Sequence, residues 1–97
     1  MIVSFKNLAT QDIFNGINSK LARKLLPQSL CKVAFRKLDQ LDSVLILEEL
    51  RIPPGNYLES LLGNRKGEFS IHINDQYRVC FVWRDGAAWE VEIVDYH

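Results

Sequence analysis

Four side chains able to carry positive charge crowd one short stretch, NRKGEFSIHINDQYRVCFVW, running from Asn64 to Trp83: Arg65, Lys66, His72 and Arg78. A second cluster ends the sequence, where Asp95, Tyr96 and His97 put a carboxylate, a phenol and an imidazole side by side. Arginine keeps its charge at any relevant pH and offers forked donors that match phosphate oxygens, so two guanidiniums converging on one surface suit a phosphodiester. An imidazole titrating near pH ~6.5 gives or takes a proton at neutral pH, and nearby carboxylates favour its charged form. The combination points to phosphoryl chemistry: cations to steady growing negative charge, and proton-handling groups beside them. Each residue also has a plainer reading. Arg65 can be an ordinary loop charge, Arg78 the ion-pair partner of Glu90 or Glu92, and His97 a loose terminal side chain.

Other chemistries fit poorly. His72, His97 and Asp95 match no metal-ligand spacing and lack a third nitrogen or sulfur ligand, so neither a metal nor another cofactor is expected. Ser70 falls in mid-strand with no nucleophile-elbow sequence around it, which argues against a serine hydrolase. Tyr77, Phe81, Trp83 and Trp89 could stack on bases, but their strand positions suit packing.

The elements that must hold these groups follow from periodicity. Strands are expected over Tyr57–Leu62, Glu68–Asn74, Tyr77–Trp83 and Trp89–Tyr96, joined by short turns into an antiparallel meander. Alternation aims Phe69, Ile71, Ile73, Tyr77, Val79, Phe81 and Trp83 at a core, leaving Ser70, His72, Arg78, Cys80 and Val82 on the other face. Gly63 and Gly67 let the loop carrying Arg65 lean over that face. Upstream, Ile2–Phe5 reads as a short opening strand. A helix broken by Gly16 and Asn18 spans about Gln11–Leu26, and a clearer one runs from Leu30 through Val33, Ala34 and Leu38 to Leu41, with Pro27 at its start. Lys32, Arg36 and Lys37 on its outer side form either a solvated face or a basic rim for RNA, alongside Lys66 and His72. Pro53, Pro54 and Gly55 enforce a turn. The fold class expected is α+β, a single domain over residues 1–97 with two N-terminal helices on one face of an antiparallel sheet.

Composition sets limits on partners. Twelve Lys and Arg balance twelve Asp and Glu, so the whole molecule lacks the basic excess of a general nucleic-acid binder. The charge is uneven, however: residues 1–40 hold seven basic against two acidic groups, and residues 85–97 hold four acidic and no basic ones. A local anion-binding patch is therefore compatible with overall neutrality. Cys31 and Cys80 are too few for a disulfide framework and sit among apolar neighbours, as buried thiols do. No apolar run approaches the ~20 residues needed to span a bilayer, and no leader pattern opens the chain, so a soluble cytoplasmic protein is expected.

The stretch from the PPGN turn through GNRKGEFSIHINDQYRVCFVW to the closing VEIVDYH resembles the HigB toxins of the RelE/ParE superfamily, the killer halves of bacterial toxin–antitoxin pairs. The likeness covers Pro53–His97 closely and the N-terminal half in pattern alone. It implies a RelE-like fold whose concave sheet enters the ribosomal small-subunit decoding site and cleaves mRNA there without a metal. It also implies a HigA-like helix-turn-helix antitoxin as partner, through which alone the toxin meets operator DNA. By the same likeness the site comprises Arg65, Arg78, Asp95, Tyr96 and His97. One departure stands out: several relatives carry Lys just before the GNR glycine, where this chain has Leu62. A ParE-like toxin that binds gyrase, or a catalytically weak relative acting through its antitoxin, are the competing implications.

Overall fold

The computed structural model describes residues 1–96. Three helices lead the chain: α1 (Leu8–Phe14), α2 (Lys20–Leu25) and α3 (Cys31–Ser43). The expected first helix is thus two. Gly16 adopts φ +74° and ends the first segment, while Ser19 restarts the chain by accepting from the Ala22 amide, as Asn7 does for Thr10 at the start of α1. Pro27 precedes a 3-10 turn at Gln28–Leu30 that runs into α3, whose Ala34, Leu38 and Leu41 are fully buried.

Four strands follow, β1 (Glu59–Ser60), β2 (Glu68–His72), β3 (Tyr77–Arg84) and β4 (Ala87–Asp95), paired antiparallel in chain order. This is the α+β meander the alternation called for. The expected first strand shrinks from Tyr57–Leu62 to two residues, Tyr57 taking a left-handed backbone, φ 46°, outside the extended region of a regular ladder. Ile71, Val79, Phe81, Val91 and Ile93 face the helices and form the core with Leu38, Leu41 and Leu50, whereas Phe69 and Trp83 are only partly covered at its margin. Apolar burial of this kind is the main favourable contribution to folding.

The opening segment adds to the sheet differently from a regular strand. Ile2 and Phe5 bridge Ala88 and Val91 in parallel on the free side of β4, through Val3 N to Ala88 O (2.8 Å) and Lys6 N to Val91 O (2.9 Å). Between the two bridges β4 bulges. Cys80 pairs with Glu92 but Val82 with Trp89, so β4 holds one residue more than its partner, and Glu90 turns left-handed at φ 52°. The bulge interrupts the ladder, and Ser4 Oγ accepts from the Glu90 amide in the gap (2.9 Å). Further along, Thr10 of α1 accepts from the buried Ile93 amide at 3.0 Å, closing an edge that would otherwise invite another strand.

One polar knot fixes the PPGN turn. Asn56 is fully buried; its Nδ2 donates to Gln40 Oε1 and to the Leu50 carbonyl, each at 3.0 Å, while its Oδ1 accepts from Lys37 Nζ. Asn56→Ala should strand a carbonyl and an ammonium in a covered place and cost about 2–3 kcal/mol, read as a lower urea midpoint at unchanged m-value. An unchanged midpoint would show that the knot contributes nothing. Among the described residues, no helix is long and apolar enough to cross a membrane.

Candidate functional site

The sheet face turned away from the helices carries the charged groups, and the loop before β2 supplies the first of them. Gly63 (φ +65°) and Gly67 (φ +99°) bracket a 3-10 turn, Gly63–Arg65, which throws Arg65 back over the sheet. Its Nη1 lies 3.0 Å from Glu68 on β2 and 2.9 Å from Glu92 on β4, so the guanidinium spans β3 from above. The Glu92 contact is the closer of the two ion pairs. Burial disfavours the Arg65 charge, yet Glu92, Cys80 and Glu68 outweigh it and lift the guanidinium above its ordinary value. Beneath lies Cys80, fully buried, its thiol pushed up to about 11 mainly by that burial, so the floor of the site is uncharged at neutral pH. Cys31, by contrast, is only half-buried, on the helical side, short of the full burial its neighbours suggested.

Arg78 and His72 are directly paired across β2 and β3, as alternation predicts. Arg78 binds Glu59 through Nη1 rather than Glu90 or Glu92, because β1 flanks the same face. Its guanidinium carbon sits 4.1 Å from the centre of the Tyr96 ring, a cation–π contact. Arg78 Nε is buried with no partner among the described residues. His72 packs against Tyr57, ring centres 4.9 Å apart. Burial first, then the charge of Arg78, pushes the His72 imidazole below its ordinary value against the pull of Glu59 and Asp75. That shift favours the neutral ring of His72 over the cation at neutral pH.

Arg65, Val94, Asp95 and Tyr96 line one open hollow of about 240 Å³. Asp95 lies on its rim opposite Tyr77, and both carboxylate oxygens stand 3.2 Å from the Gln76 side-chain amide. Of the five residues anticipated for the site, Arg65, Asp95 and Tyr96 line this hollow and Arg78 lies against the Tyr96 ring, although Asp95, paired with Tyr77, sits at the strand end on the core-facing parity; His97 lies outside the described residues. Lys66 is exposed in the same loop as Arg65. Arg36 and Lys37 are not brought to this surface: they ride on α3, whose buried side packs on the other face of the sheet. Lys37 is moreover spent on Asn56, and burial together with Arg36 lowers its pKa, so the expected basic rim loses that member to a structural brace. A larger apolar hollow of about 310 Å³ opens on the helical side against Ile13, Ile17 and Phe35; Lys32 of the anticipated rim lines it, away from Arg65 and the closing residues.

Glu59 and Glu68, which help set the arginines in place, were missed by reasoning from the sequence, and Glu92 was anticipated as a partner of Arg78 whereas it holds Arg65. Their role depends on register and on the path of the Arg65 loop, and strand alternation signals only that Glu92 shares a face with Arg78.

Known proteins match this chain along nearly its whole length. Residues 5–97 fit the family described as HigB-like toxin, the RelE-like toxin of the type II toxin–antitoxin system HigB. Toxin HigB-1 of Vibrio cholerae serotype O1 (strain ATCC 39315 / El Tor Inaba N16961) is 51% identical over 65 residues, 67% of this chain and 68% of that protein. An uncharacterised protein of Haemophilus influenzae is 37% identical over 60 residues, 62% of this chain and 59% of the other. Two solved structures share the fold at low identity. The crystal structure of a variant of YafQ from E. coli superposes with a TM-score of 0.57 at 19% identity, covering 98% of this chain and 93% of that one. The solution structure of HP0894 from Helicobacter pylori gives 0.55 at 15%, covering 96% and 94%. With the family match spanning all but the first four residues, and with half of the aligned positions identical in a named HigB toxin, this chain belongs to the HigB-like family of RelE-like toxins of type II toxin–antitoxin systems.

Proposed function

We propose that this toxin is a metal-independent, ribosome-dependent endoribonuclease that cleaves mRNA in the decoding site and is neutralised by a HigA-like helix-turn-helix antitoxin. The observation that carries the reading is the shared hollow: Arg65, Asp95 and Tyr96 line it, and Arg78 reaches it across the Tyr96 ring. In this reaction the ribose 2′-oxygen attacks the adjacent phosphorus, a new P–O bond forms, and the bond to the 5′-oxygen breaks. One proton leaves the 2′-hydroxyl and another is delivered to the departing 5′-oxygen. Arg65 and Arg78 stabilise the charge that grows on the phosphoryl oxygens. His97 handles a proton, Asp95 orients or accepts one, and Tyr96 positions the substrate. Lys66 adds a backbone contact nearby. The ribosome supplies alignment of the linkage, an effect that can rival the chemistry itself.

The setting is the cytoplasm, where translating ribosomes are. Operator DNA is met only within the toxin–antitoxin complex. Purified protein incubated with translating ribosomes and a defined message should generate new 5′ ends within codons, absent when the ribosome is omitted. No new ends with competent ribosomes would sink the reading. A gyrase-binding toxin of this fold has no need of these groups on one surface, and nothing in the site favours it.

Leu62 bears on how vigorous cleavage is. It is 83% exposed beside the Arg65 turn, so its side chain supports nothing in the core. Leu62→Lys should leave stability within about 0.5 kcal/mol of the parent and raise the single-turnover cleavage rate several-fold by adding a cation at the rim. An unchanged rate would mean that Lys66 already serves in its place.

A further inference from the structure

The PPGN turn delivers an aromatic ring to the site that neither the arginines nor the closing residues account for. Tyr57 follows the buried Asn56 directly, adopts a left-handed backbone (φ 46°), and leaves its side chain 63% exposed. A bulky residue in that region is a genuine outlier, held only where the surroundings over-determine it, and such strain is a pointer to function. Here the surroundings are the Asn56 knot, which pins the preceding residue to α3 and to the Leu50 carbonyl. The ring it presents is not used for the core. It meets His72 at 4.9 Å, His72 pairs with Arg78 across the strands, and Arg78 covers the Tyr96 ring at 4.1 Å. A row of flat surfaces therefore runs from Tyr57 to the edge of the hollow, over strands spaced about 4.8 Å apart.

We propose that Tyr57 and His72 form a nucleobase-stacking subsite, holding a single-stranded RNA nucleotide that neighbours the linkage cleaved at the Arg65–Tyr96 hollow. This rests on the endoribonuclease reading and adds to it a binding position and a reason for the strained turn. Aromatic faces accept any base and favour the larger purines, and stacking on one such ring is worth roughly 1–3 kcal/mol by truncation. The downward shift of the His72 imidazole, from burial first and then Arg78, suits this use, since an uncharged ring stacks without demanding a counter-charge. Asn56 is then a positioning residue acting through Tyr57.

Tyr57→Gly separates the ring from the fold, because glycine adopts the left-handed backbone without strain. In ribosome-dependent cleavage of a set of messages differing in the bases around the cut, Tyr57→Gly should raise KM roughly 5- to 150-fold, the range that stacking loss implies. It should leave kcat within about threefold, flatten any purine preference at one flanking position, and keep Tm at or above the parent value. Tyr57→Trp should retain parental KM and preference, and His72→Phe should do so more closely than His72→Ala. If the parent cleaves and Tyr57→Gly matches it in KM and in base preference, the stacking subsite is wrong while the endoribonuclease reading stands. If the parent makes no new ends on competent ribosomes, both fall together. A fall in KM-dependent activity that Tyr57→Trp fails to rescue, accompanied by a lowered Tm, would assign Tyr57 a structural duty and overturn the proposal.

Discussion

His97→Ala is expected to slow ribosome-dependent cleavage by about 10²- to 10⁴-fold, the usual worth of positioned acid–base help. Stability should stay within about 0.5 kcal/mol of the parent, since the last strand closes at Asp95. The pH profile is the sharper readout. With His97 present, the single-turnover rate should bend near the imidazole range, about pH 6–7; in the alanine variant that bend should vanish while the slower rate persists. Added imidazole should restore part of the loss. A variant within about threefold of the parent at every pH would move the proton transfer to Asp95, Tyr96 or the ribosome itself.

Arg65→Ala should lose about 10²- to 10³-fold, as when a single donor to developing anionic charge is removed. Arg65→Lys should recover only part of this, since one ammonium cannot span Glu68 and Glu92 while presenting forked donors to phosphate. Stability is affected too. Among the described residues, Glu92, with a side chain 12% exposed, would keep only Lys6, 3.5 Å away and largely in solvent, and the uncompensated carboxylate should cost about 1–2 kcal/mol. The double variant Arg65→Ala with Glu92→Gln separates the two effects: thermal stability should return while cleavage stays lost. If restoring stability also restored cleavage, Arg65 would be a strut rather than a participant in the chemistry.

Much of this arrangement is legible before any coordinates. Alternation in the hairpin places His72 and Arg78 together on the face away from Ile71, Val79 and Phe81, and the β2–β3 register agrees residue for residue. Helical spacing identifies Ala34, Leu38 and Leu41 as the buried side of α3. What escapes is whatever depends on three-dimensional neighbours. The carboxylates clamping the arginines lie 3, 19 and 27 positions away in the chain, and only the register brings them close. Lys37 carries the composition of a solvated helix face but reaches the PPGN turn, because Asn56 happens to be buried one side chain away. Tyr57 reads as a strand residue by type, and its left-handed backbone contradicts its own propensity. Glu90 offers no cue at all, since neither glycine nor asparagine marks the position where β4 takes its additional residue.

That additional residue has a consequence for which lengths the chain tolerates. Side chains along a strand swap sides at each step, and because Cys80 pairs with Glu92 while Val82 pairs with Trp89, Glu90 is the residue that stands outside that alternation. With or without it, Val91 and Ile93 face inward and Glu92 faces Arg65. Omitting Glu90 should therefore keep that assignment and relieve a left-handed backbone while losing the contact with Ser4, whereas omitting Val91 instead would leave a carboxylate to fill the inward position opposite Phe81. The strand carries a spare link here, and shortening the chain by the right residue should be far milder than shortening it by the next one.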